Sequence, residues 1–338
     1  MTAPTEITRI RAVIMRIRAA FASRRARGWA KAAVGATILV AIALQVGGAP
    51  FVRGLASLSA GPIAAALGLA AVATWAAAWR WRLIAGGLGI PLRTTGALAA
   101  YYRSQLLNSV LPGGVAGDVH RAVAHGRDVD QVAHASRAVV AERTAGQVVQ
   151  LGLAAVVLAS LGVWAYAPAV GVMLLAVVVA CVGIALAATM SRRARAVVMR
   201  ELAHLRSAFA GRRTVVGVVV ASLVVVICHV STFVVAALAV GVAASPPRLA
   251  AVGLIAVLAG SIPLNIGGWG PREGAAGWAF ATVGLGSATG VAVSTAYGVL
   301  ALIAVTPGLA VIAASVLRRR RAGVASRSAR VLAPLGGR

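Results

Sequence analysis

Two short polar knots interrupt an otherwise apolar chain, and they are built from the same kinds of residue. The first contains Asn108, Pro112, Gly113, Gly114, Gly117, Asp118 and Arg121; the second contains Asn265, Gly267, Gly268, Trp269, Gly270, Pro271, Arg272 and Glu273. Glu142 and Arg143 form a further charged pair between them. A guanidinium binds phosphate oxygens in pairs, and a neighbouring carboxylate can orient it or exchange a proton. Gly-Gly at a break bares amide hydrogens, and a helix starting there adds the positive end of its dipole, so an anion could sit at either knot without any lysine. The expected substrate-binding residues are therefore Asn108, Pro112, Gly113, Gly114, Gly117, Asp118, Arg121, Glu142, Arg143, Asn265, Gly267, Gly268, Gly270, Arg272 and Glu273. Asn108 and Asn265 are also placed to bridge the broken backbone. Tyr101, Tyr102, Trp79, Trp81 and Trp269 read as anchors at a membrane–water interface rather than as a ligand box.

What must position these residues is a set of membrane helices. The chain is 60% hydrophobic and 12% charged, more apolar side chain than one soluble domain could hide. Residues 32–52, 54–79, 144–191, 214–247, 249–271 and 274–317 carry no charge. Each run reaches the roughly 20 residues a helix needs to cross about 30 Å of hydrocarbon. The run 144–191 accommodates two crossings, with Gly162, Trp164, Tyr166 and Pro168 as the turn. Glycine and proline leave backbone groups unpaired, and such backbone survives at membrane depth only where protein buries it or water wets it. A pair of broken segments in corresponding places therefore points to a transport site.

The formal charge of +26 and pI near 12.0 would suggest nucleic acid in a soluble protein, but the arginines are sorted by position. Seven lie in residues 1–28, seven in 192–213 and seven in 318–338. The expected outer loops hold only Arg53 and Arg248. Short arginine-rich loops stay inside, so topology accounts for the charge, both termini are assigned to the cytoplasm, and no nucleic-acid partner is expected. The three clusters are also suited to anionic lipid headgroups.

Threading the chain gives helices at about 30–48, 60–79, 138–162, 168–190, 214–243 and 287–317, with the knots inside the broken segments 83–137 and 249–285. Arg80 and Arg82 serve as the inner flank of the second helix, and Pro307 as a kink in the last. The expected fold is an all-α polytopic membrane bundle of about six transmembrane helices plus two broken or re-entrant hairpins, arranged as an inverted-topology repeat. Its parts are a basic cytoplasmic segment 1–28, a membrane domain 29–318 with halves at about 29–163 and 164–318, and a basic cytoplasmic tail 319–338.

The chain holds no G-x-x-x-x-G-K-[ST], no G-x-S-x-G and no H-E-x-x-H, and Gly268, Gly270 and Gly274 miss the dinucleotide-binding spacing. No catalytic residue, metal or cofactor is expected. Cys181 and Cys228 both fall in apolar runs and suggest no disulfide.

Three stretches in order carry a family resemblance: Asn-Ser-Val-Leu-Pro-Gly-Gly-Val-Ala-Gly-Asp-Val-His-Arg at 108–121, Glu142-Arg143, and Ile-Pro-Leu-Asn-Ile-Gly-Gly-Trp-Gly-Pro-Arg-Glu at 262–273. They resemble the signatures of the lysylphosphatidylglycerol synthase transmembrane family, the flippase-like membrane domain. In the synthases that domain is a translocase for an aminoacylated lipid made by a separate cytoplasmic domain. The resemblance implies a stand-alone member without the aminoacyltransferase domain, and it leaves the substrate open.

The function expected from residues and resemblance together is a lipid translocase acting on a phospholipid or lipid-linked headgroup, driven downhill or by protons through Asp118, Glu142 or Glu273. A membrane partner or regulator of a separate lipid-modifying enzyme is the alternative, and a membrane-embedded transferase using Asp118 or Glu273 as base is a third.

Overall fold

The computed structural model describes residues 36–111, 114–160, 191–262 and 269–315, with isolated positions 33, 171, 189 and 317. Among these the secondary structure is helical. α1 (Ala36–Val46) and α2 (Ala49–Ala56) meet at 100°, because Gly47 takes a φ of 77° at the bend. The bend falls at the expected end of the first helix, and α2 occupies the stretch expected to join the first two helices. α2 lies against α11, and Gly54 lets the two backbones touch: a Cβ there would collide with the Ala292 carbonyl.

α3 (Ala60–Gly87) runs two turns past its expected end. It is followed by α4 (Thr94–Val110), α5 (Ala116–Asp128), α6 (Val132–Ser160), α7 (Arg192–Ala208), α8 (Arg212–Ala239), α9 (Pro246–Gly260), α10 (Pro271–Thr282) and α11 (Ser287–Ala304). The chain is helical again at 307–315, after a turn at Val305 and Thr306 that puts the interruption where Pro307 removes a backbone donor. Three helices, Ala60–Gly87, Arg212–Ala239 and Ser287–Ser315, are long and apolar enough to cross a membrane, and the bent pair α1–α2 would make a fourth. α6 spans about 44 Å at 1.5 Å per residue, but Arg137, Glu142 and Arg143 occupy its first half. The expected crossing at 168–190 and the two basic ends lie outside the described residues.

Alanine and glycine explain the close packing. α3 and α8 make the most extensive contact, and Gly217 of α8 seats Leu83 and Trp79 of α3. Two large apolar cores result, with a smaller one of Ala154, Val226, Leu254 and Leu258 where α6, α8 and α9 meet. One joins Trp81, Ile84 and Ala85 of α3 to Ala97 and Tyr101 of α4, Ala122 of α5 and Ala135 and Ala138 of α6. The other joins Phe233 of α8, Leu249 and Val252 of α9, Phe280 of α10 and Val293 and Leu300 of α11, with Ala66 of α3. α3 and α8 contribute to both cores. Outside, Leu44, Val72, Val148, Val156, Ile227 and Leu238 are exposed, an apolar surface suited to lipid.

The described helices on either side of each knot pack against each other. α5 packs back on α4, and α10 packs back on α9. Gly117 makes the first pair close: a Cβ there would overlap the Ser104 carbonyl. Gly117→Ala should accordingly cost about 1–3 kcal/mol by overpacking. Thermal unfolding of the detergent-purified protein measures it, and an unchanged midpoint would show that the hairpin can open without penalty.

Candidate functional site: two arginine–carboxylate clusters on one cavity

Glu142 is completely buried at the meeting of four helices. Its Oε1 accepts from Arg80 Nε at 2.9 Å, from Arg80 Nη2 and from the Tyr101 hydroxyl at 2.8 Å, while Oε2 accepts from Arg121 Nη2 at 2.9 Å. Arg80 Nη1 donates to Ser222 Oγ of α8 at 2.9 Å, and its guanidinium lies on Gly146, the only residue type whose lack of a Cβ leaves that space. Arg121 is sandwiched between the rings of Trp81 and Tyr101, 4.4 and 4.3 Å from their centroids. Asp118 extends the network: it accepts from Ser104, Asn108, Arg121 and Arg143.

The second cluster repeats this chemistry on other helices. Glu273, also completely buried, accepts from Arg272 Nε at 3.0 Å and Nη2 at 2.6 Å and from Ser294 Oγ of α11 at 3.0 Å. Arg272 packs against Trp269 and Tyr297, 5.2 and 5.1 Å from their centroids, and its guanidinium lies on Gly298. Tyr297 also pairs with His229 Nδ1 of α8 at 3.3 Å. Each cluster thus holds an arginine–carboxylate pair completed by a serine from a neighbouring helix, a glycine under a guanidinium, and aromatic faces against an arginine.

The clusters meet at a cavity of about 750 Å³, lined by Arg80, Tyr101, Asn108, Gly114, Asp118 and Arg143 from the first half and by His229, Arg272 and Tyr297 from the second. The Arg143 side chain keeps 43% of its surface accessible while Asp118 holds it at 2.8 Å.

Several sequence expectations are corrected by this geometry. Arg80 is an interior ion-pair partner rather than a helix flank, because α3 continues inward to Gly87. Trp81 and Tyr101 are buried rather than interfacial, held by the charge of Arg121. Two glycine amides at the helix starts are taken internally. Gly117 N donates to Asn108 Oδ1 at 2.7 Å, and Gly270 N donates to Glu273 Oε2 at 2.6 Å, so the chain's own side chains occupy both helix starts. Asn108 thereby bridges the first break as expected. Arg121, Glu142 and Glu273 stand behind the cavity wall, 1%, 0% and 0% exposed, and support the residues that line it. Pro112, Gly113, Asn265, Gly267 and Gly268 lie outside the described residues. Sequence reasoning missed Tyr297, His229, Ser222 and Ser294, which sit in uncharged runs with nothing beside them to distinguish them from lining residues.

A helical protein with long apolar helices and ionised side chains gathered inside, around a cavity, is an integral membrane protein. The chain belongs to the lysylphosphatidylglycerol synthase TM region family, whose pattern matches residues 28–308. That places it among membrane proteins of lipid metabolism or the cell envelope. No curated protein and no solved structure matches the chain.

Proposed function

We propose that this protein is a lipid translocase that passes a phospholipid or lipid-linked headgroup between leaflets of the cell membrane through the cavity between the two clusters. The observation that carries the reading is that Arg143 of α6 and Arg272 at the start of α10, one from each half of the chain, line one cavity. A lipid phosphate there meets guanidinium groups from both halves, while alanine-rich α3 offers an apolar wall to the acyl chains.

The finer architecture belongs to the same proposal. α4, α5, α9 and α10 span about 18–26 Å each, short of the roughly 30 Å hydrocarbon core, which favours two re-entrant hairpins facing opposite ways over four full crossings. With six crossings, the halves form an inverted repeat and both termini are cytoplasmic. The acids are poor proton carriers in this arrangement. Each oxygen of Asp118, Glu142 and Glu273 already accepts from a guanidinium, hydroxyl or amide, so protonation breaks bonds in several helices. Downhill movement is the reading this favours, and the same bonds occupy Asp118 and Glu273, the carboxylates that the transferase reading would use as base.

Purified protein in vesicles containing a fluorescent phospholipid tests the proposal: dithionite quenching of the outer leaflet should go to completion, whereas protein-free vesicles stop near half. Half-quenching with properly inserted protein would sink the translocase reading and favour a partner of a separate enzyme. Orientation is checked independently. Single cysteines at Thr2 and Ser328, in a background lacking Cys181 and Cys228, should resist an impermeant thiol reagent on intact cells. Labelling of either from outside overturns the inverted repeat.

A further inference from the structure

Resting on the translocase reading, we infer that the cavity selects a lipid whose phosphate carries a neutral, hydroxyl-rich headgroup and rejects a cationic aminoacyl headgroup. The wall beside the arginines is made of amides. On α6, Arg143, Gln147 and Gln150 follow one another at i, i+4 and i+7, and so share a face; on α4, Tyr101, Gln105 and Asn108 repeat that spacing. A carboxamide offers donors and an acceptor together, which is what a polyol or sugar hydroxyl requires. Asn108 is used at both ends by Gly117 and Asp118, and Gln105 accepts from Thr74 at 3.1 Å. Gln150 is different. It lines the cavity at 7% exposure, and its Nε2 is buried without a hydrogen-bond partner. A buried donor left unpaired is costly, and a turn of the Gln150 carboxamide toward the cavity would bring it to a ligand oxygen.

The charges point the same way. An ammonium headgroup needs a carboxylate with free lone pairs, and among the described residues the cavity has none: Asp118 is the sole acid on its wall and accepts from two arginines, a serine and an asparagine. Arg143 and Arg272 face the same space and repel a second cation. The cavity therefore offers charge to a phosphate and amides to hydroxyls, and no uncommitted carboxylate to a lysyl ammonium.

The test uses the full-length protein in phosphatidylcholine nanodiscs, with phosphatidylglycerol, phosphatidylinositol, lysyl-phosphatidylglycerol and phosphatidic acid as competing probes, and bound lipid identified by native mass spectrometry. Phosphatidylglycerol and phosphatidylinositol should be retained over lysyl-phosphatidylglycerol by about tenfold, the scale of one matched polar contact. Gln150→Leu, with Gln147→Leu as a second variant, should lower retention of the two polyol lipids to that of phosphatidic acid and leave phosphatidic acid unchanged. The wild-type competition needs neither variant to fold. Lysyl-phosphatidylglycerol retained as well as phosphatidylglycerol overturns the inference, as does retention of none of the four; neither result touches dithionite-measured translocation. A polyol preference without translocation sinks the translocase reading and leaves the headgroup preference standing.

Discussion

Replacing Glu142 by alanine should destabilise the protein by about 3–5 kcal/mol, the cost of removing one side of a buried ion pair. The carboxylate sits on α6 and accepts from α3 through Arg80, from α4 through Tyr101 and from α5 through Arg121, so its loss deprives three neighbouring helices of a common acceptor. Arg80 is left buried with only the Ser222 hydroxyl, and Arg121 with Asp118 as its one remaining carboxylate. Arg121 is especially exposed to this, since its Nε and Nη1 have no hydrogen-bond partner even with Glu142 present. Glu142→Gln keeps the shape and one acceptor oxygen but not the charge, and should fall between wild type and alanine. Fluorescence-detected size exclusion after heating a detergent extract reads the effect. A wild-type midpoint for Glu142→Ala would mean that water reaches the cluster and that it is not a buried latch.

Arg272→Lys should slow lipid translocation on the order of tenfold or more while leaving folded yield intact. An ammonium can still pair with Glu273, which protects the fold, but it cannot keep Nε on Glu273 and Ser294 while presenting a second edge to a phosphate. It also loses flat contact with Trp269 and Tyr297. Arg272→Ala should abolish nearly all translocation. Gly298→Ala supplies a charge-neutral version of the same experiment, because its Cβ would stand 2.9 Å from the Trp269 ring and overlap Arg272 Nη2, pushing the guanidinium off its seat. Full transport by Arg272→Lys would reduce this residue to a general attractor of negative charge. Full transport by all three variants would remove the second cluster from the lipid path.

The two clusters also bear on how the family's membrane domain can vary its cargo. The buried members Arg121, Glu142 and Glu273 hold helices together, whereas the wall residues Gln147 and Gln150 take no part in that network. On the proposed translocase reading, headgroup choice can therefore change along one face of α6 without dismantling the ion pairs.

Membrane residence, helical class and the places where helices break were legible in the linear chain. Uncharged runs of about 20 residues, arginines sorted into three segments, and glycine and proline at 112–117 and 267–271 are local properties that act through the neighbours of each residue. The motif stretches 108–121, 142–143 and 262–273 were enough to place the chain in its family. Partner choice was not legible. Arg80 looked like a flank because hydropathy and charge sorting judge a residue by its sequence neighbours, whereas Glu142, 62 residues away, neutralises it in space. The amides of Gly117 and Gly270 looked open for the same reason, until Asn108 and Glu273 closed on them. Gln147 and Gln150 stood as ordinary residues of the uncharged run 144–191, and only the packing of α3, α4, α6 and α8 made their face a cavity wall. Burial in an apolar interior raises the cost of every unmatched polar group, so the pairing that settles each one is decided by where the helices meet, which no local run of residues encodes.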